Sequence, residues 1–218
     1  MTYRIAFKEG WKWIIILLVL TMSVWVFAPW KWYWICLKIL SAILLLFVAA
    51  FFRNPDRKIP EDSKIIVAPA DGRIIKIFKV SEAPLIRKPA ICVSTFMNVF
   101  NVHVNRIPTS GIVENIEYRR GSFLVASKAE ASSKNEQNII LIHTDNGKRV
   151  VMAQIAGVVA RRIICKINAG DRVGRGWPFG MIVLGSRVDV YLPPDEIELA
   201  VRIGDKVKAG SSKLGYWK

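Results

Sequence analysis

The stretch of this chain best suited to chemistry is Phe179–Tyr191, in which Gly185 and Ser186 interrupt a strand-like apolar run. A core strand rarely places glycine at such a point, because glycine weakens a strand and often marks a bend. A Gly-Ser bond held in a tight turn can be attacked by its own serine hydroxyl, which cuts the chain and lets the new N-terminus become a carbonyl. Gly185-Ser186 is therefore the candidate self-cleavage site.

Other catalytic equipment is sparse, since the chain has two histidines and no phosphate-binding glycine loop. His103 lies in an apolar, strand-like stretch, where a structural histidine is the ordinary interpretation, and His143 precedes a turn, which favours a surface position. Asp71 belongs to a Pro-Ala-Asp-Gly segment after a strand, and Asp-Gly is ordinarily a turn. A second Gly-Ser pair contains Ser211, which we expect to lie in a flexible tail that cannot supply a preorganised site.

The three cysteines, Cys36, Cys92 and Cys165, lie far apart in the sequence. Their spacing gives neither a disulfide framework nor a set of zinc ligands. We expect no metal site, and we expect buried, inert thiols in a reducing compartment.

Two apolar runs near the N-terminus, Trp13–Ala28 and Trp32–Phe52, predict membrane spans, which need roughly 17–25 residues. Pro29 separates the runs and breaks the helix. Both outer ends are flanked by basic residues, so both should be cytoplasmic, with the short turn outside. We predict that residues 1–52 form a transmembrane helical hairpin, in preference to a cleaved signal peptide or a buried core hairpin. Six tryptophans lie at the ends of the runs, as in an aromatic belt: Trp11, Trp13, Trp25, Trp30, Trp32 and Trp34.

The net charge of +15 falls mostly on the second part of the chain. The first 52 residues hold five basic residues and one acidic residue, which leaves +11 for residues 53–218. A basic domain tethered to a membrane favours contact with anionic lipid headgroups. Nucleic acid is the competing partner, but the tether and the lack of a dense Lys/Arg run make it the weaker choice.

Residues 53–218 read as a compact, mostly β domain, a sandwich or barrel of short strands, after a proline-bearing exit from the membrane. Long strands that alternate with helices are absent, which argues against a doubly wound sheet. Residues 122–133 are expected to be irregular or briefly helical. The predicted strands are Ile65–Ala68, Arg73–Val80, Ala90–Ser94, Gly111–Tyr118, Asn138–His143, Val150–Val159, Gly180–Leu184 and Val188–Leu192.

Two segments look alike, Ile164–Val173 and Val201–Lys208, because each has a short apolar run followed by Gly-Asp and a basic residue. Such hairpin elements resemble those of biotinyl and lipoyl carrier domains. They leave open a non-enzymatic function, a membrane-anchored carrier or adaptor module that presents Lys206. That alternative gives no role to Asp71, His103 or the Gly185-Ser186 bond.

Taken in order, several motifs resemble the short form of the phosphatidylserine decarboxylase family over about residues 53–218. Each motif is common alone, but their order and spacing are specific. They are Pro69-Ala70-Asp71-Gly72, Val102-His103-Val104-Asn105-Arg106-Ile107-Pro108, Asn135-Glu136, Ala153-Gln154-Ile155-Ala156-Gly157, Phe179-Gly180 and Leu184-Gly185-Ser186.

This resemblance implies a proenzyme that cuts itself between Gly185 and Ser186 into a beta chain, 1–185, and an alpha chain, 186–218. Ser186 would become a covalent pyruvoyl group, so that neither a metal nor pyridoxal phosphate is required. The group would form a Schiff base with phosphatidylserine, or a close serine phospholipid, and release carbon dioxide and phosphatidylethanolamine. The resemblance also makes a homodimer plausible.

By the same resemblance, His103 is the acid and base, and Asp71 is the carboxylate that orients it. Longer bacterial relatives have two histidines three residues apart in this motif, whereas here the second position is Arg106. Either His103 serves both self-cleavage and decarboxylation, or another group performs one of the two. Arg106 could bind the phosphate or carboxylate of the substrate. The enzyme would act at the cytoplasmic face of the inner membrane.

Overall fold

The computed structural model describes residues 5–126, 130–157, 162–183 and 185–218. The chain divides into two compact units between Pro55 and Asp56. The first unit is helical, and the second consists almost entirely of β-strands, so the predicted mostly β domain behind two apolar helices is confirmed.

The first unit contains two helices, α1 (Ile5–Phe27) and α2 (Trp32–Phe51), separated at Pro29. Both are long and apolar enough to cross a membrane. The indole Nε1 of Trp25 donates to the carbonyl of Lys38 (3.3 Å), which joins the two helices. The Lys38 ammonium is buried and lies 3.9 Å from the centroid of the Trp30 ring. This cation–π contact offsets part of the cost of placing a charge in an apolar segment.

The second unit has fourteen strands and one four-residue helix, α3 (Ala131–Lys134). The predicted strands are all present, with ends that differ by a few residues, while the additional strands are five residues long or shorter. The strands are β1 (Ile65–Val67), β2 (Gly72–Val80), β3 (Ala90–Met97), β4 (Val104–Arg106), β5 (Gly111–Arg119), β6 (Gln137–Thr144), β7 (Arg149–Ile155), β8 (Ile163–Cys165), β9 (Arg172–Val173), β10 (Pro178–Ile182), β11 (Ser186–Leu192), β12 (Ile197–Leu199), β13 (Lys206–Val207) and β14 (Lys213–Trp217).

Eight of these strands form one antiparallel sheet that curls into a half-barrel, in the order β13-β2-β3-β11-β7-β6-β5-β9. Two three-stranded sheets, β4-β10-β8 and β1-β14-β12, complete the unit. Because side chains alternate along a strand, Val188 and Val190 of β11 lie in the larger apolar core, while Tyr191 lies in a second, smaller one. The central sheet therefore has a buried cluster on each face.

The two look-alike segments form the two edges of the eight-stranded sheet. Each begins its turn with a glycine in the left-handed region, Gly170 (φ 91°) and Gly204 (φ 99°). In each, the following aspartate accepts a bond from the amide three residues earlier, 2.8 Å in both cases. Each then continues into a two-residue edge strand, β9 or β13. Edge strands this short limit pairing with other chains.

A chain of buried amide side chains connects the eight-stranded sheet to β4. Asn138 donates to Gln154 Oε1 (3.1 Å), and Gln154 donates to Asn105 Oδ1 (2.8 Å). Asn105 Nδ2 lies 3.6 Å from the sulfur of Met97 on β3. Buried amides of this kind are costly unless they are bonded, so the chain fixes where β4 lies.

Gln154→Leu should reduce the free energy of unfolding by about 1–3 kcal/mol, because Asn105 and Asn138 would each lose a buried partner. Denaturant unfolding of the full chain in detergent would measure the change. Asn115→Leu, at an exposed position of β5, is the matched control and should have little effect. Equal stability of the Gln154 variant and the wild type would show that the amide chain contributes nothing.

Candidate active site

The Gly185-Ser186 bond lies where a loop enters the middle of the eight-stranded sheet. Ser186 is the first residue of β11 and lies opposite Met97 of β3, and from Arg187 onward β11 also pairs with β7. Gly185 has φ +64°, in the left-handed region that only glycine adopts without strain. The bond is thus held at a defined turn at the end of a rigid strand. Leu184 lies outside the described residues.

The Ser186 hydroxyl is fully buried, and its Oγ has no hydrogen-bond partner among the residues that the structure describes. A buried hydroxyl without a partner costs free energy, so proteins seldom retain one without a functional reason. The adjacent left-handed glycine and the unbonded hydroxyl together form an arrangement in which the serine can attack its own peptide bond.

His103 is fully buried and directly precedes β4. Its Nδ1 lies 2.9 Å from the carbonyl oxygen of Asn101, an acceptor that requires a proton on Nδ1. The neutral ring then carries its basic lone pair on Nε2. This tautomer is the one that can accept a proton from a hydroxyl at Nε2.

Asp71 lies between β1 and β2, and its carboxylate has two partners from distant parts of the chain. Oδ2 accepts from Arg57 (2.7 Å), and Oδ1 accepts from the amide of Ala209 (2.8 Å). The described hydrogen bonds of Asp71 therefore do not include His103, and the orienting role of Asp71 stays a prediction.

Arg106 on β4 is buried, and its Nη1 donates to the carbonyl of Gly176 (2.9 Å). Its amide donates to the carbonyl of Pro69 (2.8 Å), which places the His103 motif beside the Asp71 motif. The side chain carbon Cδ lies close to Gly210. The substrate-binding role of Arg106 stays a prediction.

The remaining polar candidates lie where their surroundings explain them. His143 is exposed near the end of β6. The expectation of a flexible tail at Ser211 is wrong, because Gly210 (φ 75°) packs against Arg106 and the chain continues into β14. Ser211 is half-exposed there, unlike the buried Ser186. Lys206 is exposed, but it lies in β13, paired with Arg73, and not at a hairpin tip.

The thiols and carboxylates provide no sign of a metal centre. No group of three potential ligands occurs within the described ranges, and all three cysteines are free. Burial raises the pKa of the Cys92 thiol, and burial also raises the pKa of Cys165, so both thiols stay protonated at neutral pH.

The sequence interpretation missed a buried ion pair directly after the cleavage site. Arg187 Nε lies 2.9 Å from Asp189 Oδ1, and Nη2 donates to Oδ2 (3.0 Å). The guanidinium also donates to the Ala126 carbonyl (2.9 Å) and to Ser132 Oγ. Burial raises the pKa of the Asp189 carboxyl, and the positive charge of Arg187 opposes that shift.

A signal for this pair was present in the sequence. Arg187 and Asp189 are two residues apart in an otherwise apolar strand, so both side chains lie on the same face. A buried central strand can contain two opposite charges only if they pair. The pair holds residues 126 and 132 against the start of β11, on the face opposite to Val188.

Comparison with known proteins confirms the family resemblance. The model of the phosphatidylserine decarboxylase family matches residues 44–215. The phosphatidylserine decarboxylase proenzyme of Syntrophus aciditrophicus is 45% identical over 208 residues, which cover 95% of either chain. The proenzyme of Nitrosomonas eutropha is 43% identical and covers 97% of this chain and 94% of its own. That of Paraburkholderia xenovorans is 42% identical and covers 95% of this chain and 94% of its own.

Arg187→Met should reduce the free energy of unfolding by about 3–5 kcal/mol, because Asp189 would stay buried without a counter-ion. Arg187→Met combined with Asp189→Leu should recover much of that loss. Arg149→Met removes an exposed ion pair with Glu114 and is the control, expected to cost less than about 1 kcal/mol. Denaturant unfolding of the full chain in detergent measures all three. A double variant as unstable as the single one would contradict this account of the pair.

Proposed function

Since this chain belongs to the phosphatidylserine decarboxylase family and is a carboxy-lyase, we propose that it processes itself and then converts phosphatidylserine to phosphatidylethanolamine and carbon dioxide. The observation that carries the proposal is the buried, unbonded Ser186 hydroxyl next to Gly185 in the left-handed conformation. A close serine phospholipid would satisfy the same chemistry.

Self-cleavage begins with attack of Ser186 Oγ on the carbonyl carbon of Gly185. The Oγ proton passes to a base, the Gly185–Ser186 C–N bond breaks, and the released amine takes up a proton. An ester between the Gly185 carbonyl and the Ser186 side chain results. Removal of the α-proton of residue 186 then expels the Gly185 carboxylate and leaves dehydroalanine. Water converts this residue to a ketone and releases ammonia, with no external oxidant.

His103 is assigned as the base that accepts the Oγ proton and later as the acid that returns a proton to carbon. The bond from Nδ1 to Asn101 leaves Nε2 as the basic atom. Asp71 is assigned as the carboxylate that stabilises the imidazolium. Because its carboxylate bonds Arg57 and Ala209 in the described structure, that assignment requires the side chain to change partners during processing.

The residues around position 186 suit a covalent pyruvoyl group, because an unbonded hydroxyl already lies there in a fully buried position. Such a group supplies an acceptor for the electrons that remain when carbon dioxide leaves. β11 fixes residue 186 through its pairing with β3, and burial excludes water from the reacting atoms. Arg106 is assigned to the phosphate or carboxylate of the substrate, which its planar guanidinium can bind in a bidentate manner.

The two products, residues 1–185 and 186–218, would stay associated after the cut. β11 lies between β3 and β7, and β14 lies between β1 and β12, so the shorter chain is paired on both sides twice. The bond from Ala209 to Asp71 adds a further link between the two chains.

We place the enzyme at the inner membrane with its β unit on the cytoplasmic face. The basic residues Arg53, Arg57 and Lys58 follow the second apolar helix, which is the distribution of cytoplasmic flanks. A phospholipid substrate lies in that membrane, and the charge of +11 on residues 53–218 favours anionic headgroups. A homodimer is part of the proposal by family.

Ser186→Ala should give a single uncut chain, because the attacking oxygen is gone. Intact mass spectrometry of the wild type should show a chain that ends at Gly185 and a second that begins at a pyruvoyl-blocked residue 186. Ser211→Ala is the control and should be cut as the wild type is. A whole wild-type chain, or a cut before Ser211, would overturn the proposal.

His103→Ala should slow cutting or turnover by about 100-fold or more, since general acid–base catalysis contributes that much. Gel analysis of cut against uncut chain, followed over time, measures the first step, and carbon dioxide release measures the second. His143→Ala changes an exposed histidine and should leave both rates unchanged. Normal maturation and decarboxylation in the His103 variant would show that another group is the base.

A further inference from the structure

Gly157, the last residue of the Ala-Gln-Ile-Ala-Gly motif, lies directly against the carbonyl group of Gly185. A Cβ built on Gly157 would overlap the Gly185 carbonyl oxygen and lie 3.0 Å from its carbonyl carbon. The only other atom near that position is the Cβ of Ala126, at 3.4 Å. The carbonyl of the bond to be cut therefore occupies the space that any side chain at position 157 would need.

The backbone before Gly157 is fixed by Asn135, a buried residue of the Asn-Glu motif. Asn135 Nδ2 donates to the carbonyl of Ala156 (2.7 Å) and to the carbonyl of Leu124 (2.7 Å), while Oδ1 accepts from the amide of Leu124 (2.9 Å). The amide of Ala156 donates to the carbonyl of Glu136 (2.9 Å). Because Ala156 is bonded through both its amide and its carbonyl, Gly157 has little freedom to withdraw from the carbonyl it contacts.

The scissile carbonyl is equally restricted from its own side. Gly185 has φ +64°, and Ser186 is paired with Met97 at the start of β11. The direction of the carbonyl is therefore set by the turn, and its position is limited by the Cα of Gly157. Attack by a neighbouring oxygen requires the reacting atoms to lie about 3–3.5 Å apart in the correct orientation.

We propose that Gly157 is a positioning residue for self-cleavage: its bare Cα forms a seat for the Gly185 carbonyl, and Asn135 fixes that seat. This inference rests on the proposed function. A methyl group at position 157 displaces the carbonyl by the width of an atomic contact, and a misplacement of about 1 Å can slow a reaction by roughly 100-fold.

The test compares Gly157→Ala with Gly111→Ala in the full chain. A Cβ on Gly111 would overlap the carbonyl oxygen of His143 in the β5–β6 pair, so it creates the same kind of clash against a carbonyl that is not cut. We expect Gly157→Ala to be cut about 100-fold more slowly than the wild type. Gly111→Ala should be cut at close to the wild-type rate, even though both variants lose stability.

Hydroxylamine identifies which step is lost, because it cleaves esters and leaves peptide bonds intact. If the carbonyl is misplaced, Gly157→Ala is arrested before the ester forms, and hydroxylamine should release no chain ending in a Gly185 hydroxamate. A hydroxamate product from this variant would show that the ester forms normally and would overturn the inference. Mass spectrometry of the treated full chain in detergent detects the difference.

Asn135→Asp provides a second variant if Gly157→Ala fails to fold. It keeps the size of the side chain but replaces the Nδ2 donor with an oxygen, so it releases the Ala156 carbonyl without a clash. We expect slowed cutting here too. A wild-type rate in Asn135→Asp or in Gly157→Ala, or equal slowing in Gly111→Ala, would overturn the inference. A wild-type chain that stays whole would instead refute the proposed self-cleavage.

Discussion

The pairing of β11 with β3 on one side and β7 on the other is the constraint on which the site depends. It places Ser186 at the first paired position of a central strand and leaves Gly185 in the turn before it. Every other group near the bond is located relative to this strand. The amide chain from Asn138 through Gln154 brings β4 towards it, and Gly157 follows the end of β7.

The two faces of β11 are stabilised by different physics. On one face Val188 and Val190 pack into the apolar core, where shape and volume determine the fit. On the other, Arg187 and Asp189 form a buried ion pair that also holds the backbone carbonyl of Ala126. Directional bonds fix an orientation that apolar packing alone does not, at the cost of removing charges from water. The reactive bond thus begins a strand that is restrained on both of its faces.

The sequence was sufficient for the elements whose signal is local. Apolar length and Pro29 predicted the two helices, and runs rich in Val and Ile predicted the longer strands such as β2 and β6. Short strands such as β9 were missed because two or three residues carry no periodicity. Gly185 and Ser186 were identifiable because they interrupt an apolar run, which a core strand does not require.

The rest of the candidate site depends on contacts between residues far apart in the chain. The Asp71 carboxylate binds Ala209, and Arg106 binds Gly176, and neither pairing is visible in local sequence. Gly210 was expected in a flexible tail because a sequence near its end usually frays, yet packing against Arg106 orders it. The proximity of Gly157 to the Gly185 carbonyl likewise exists only once β7 and β11 are neighbours.

The position of β11 also gives the protein a folding history. In an uncut chain, inserting this strand between β3 and β7 is an intramolecular event whose entropic cost rises slowly with loop length. After a cut at its first residue, the same insertion would be an association between two separate chains and would depend on their concentration. The mature form would then be maintained by the slowness of its unfolding, and denaturation would be reversible for the precursor but not for the product.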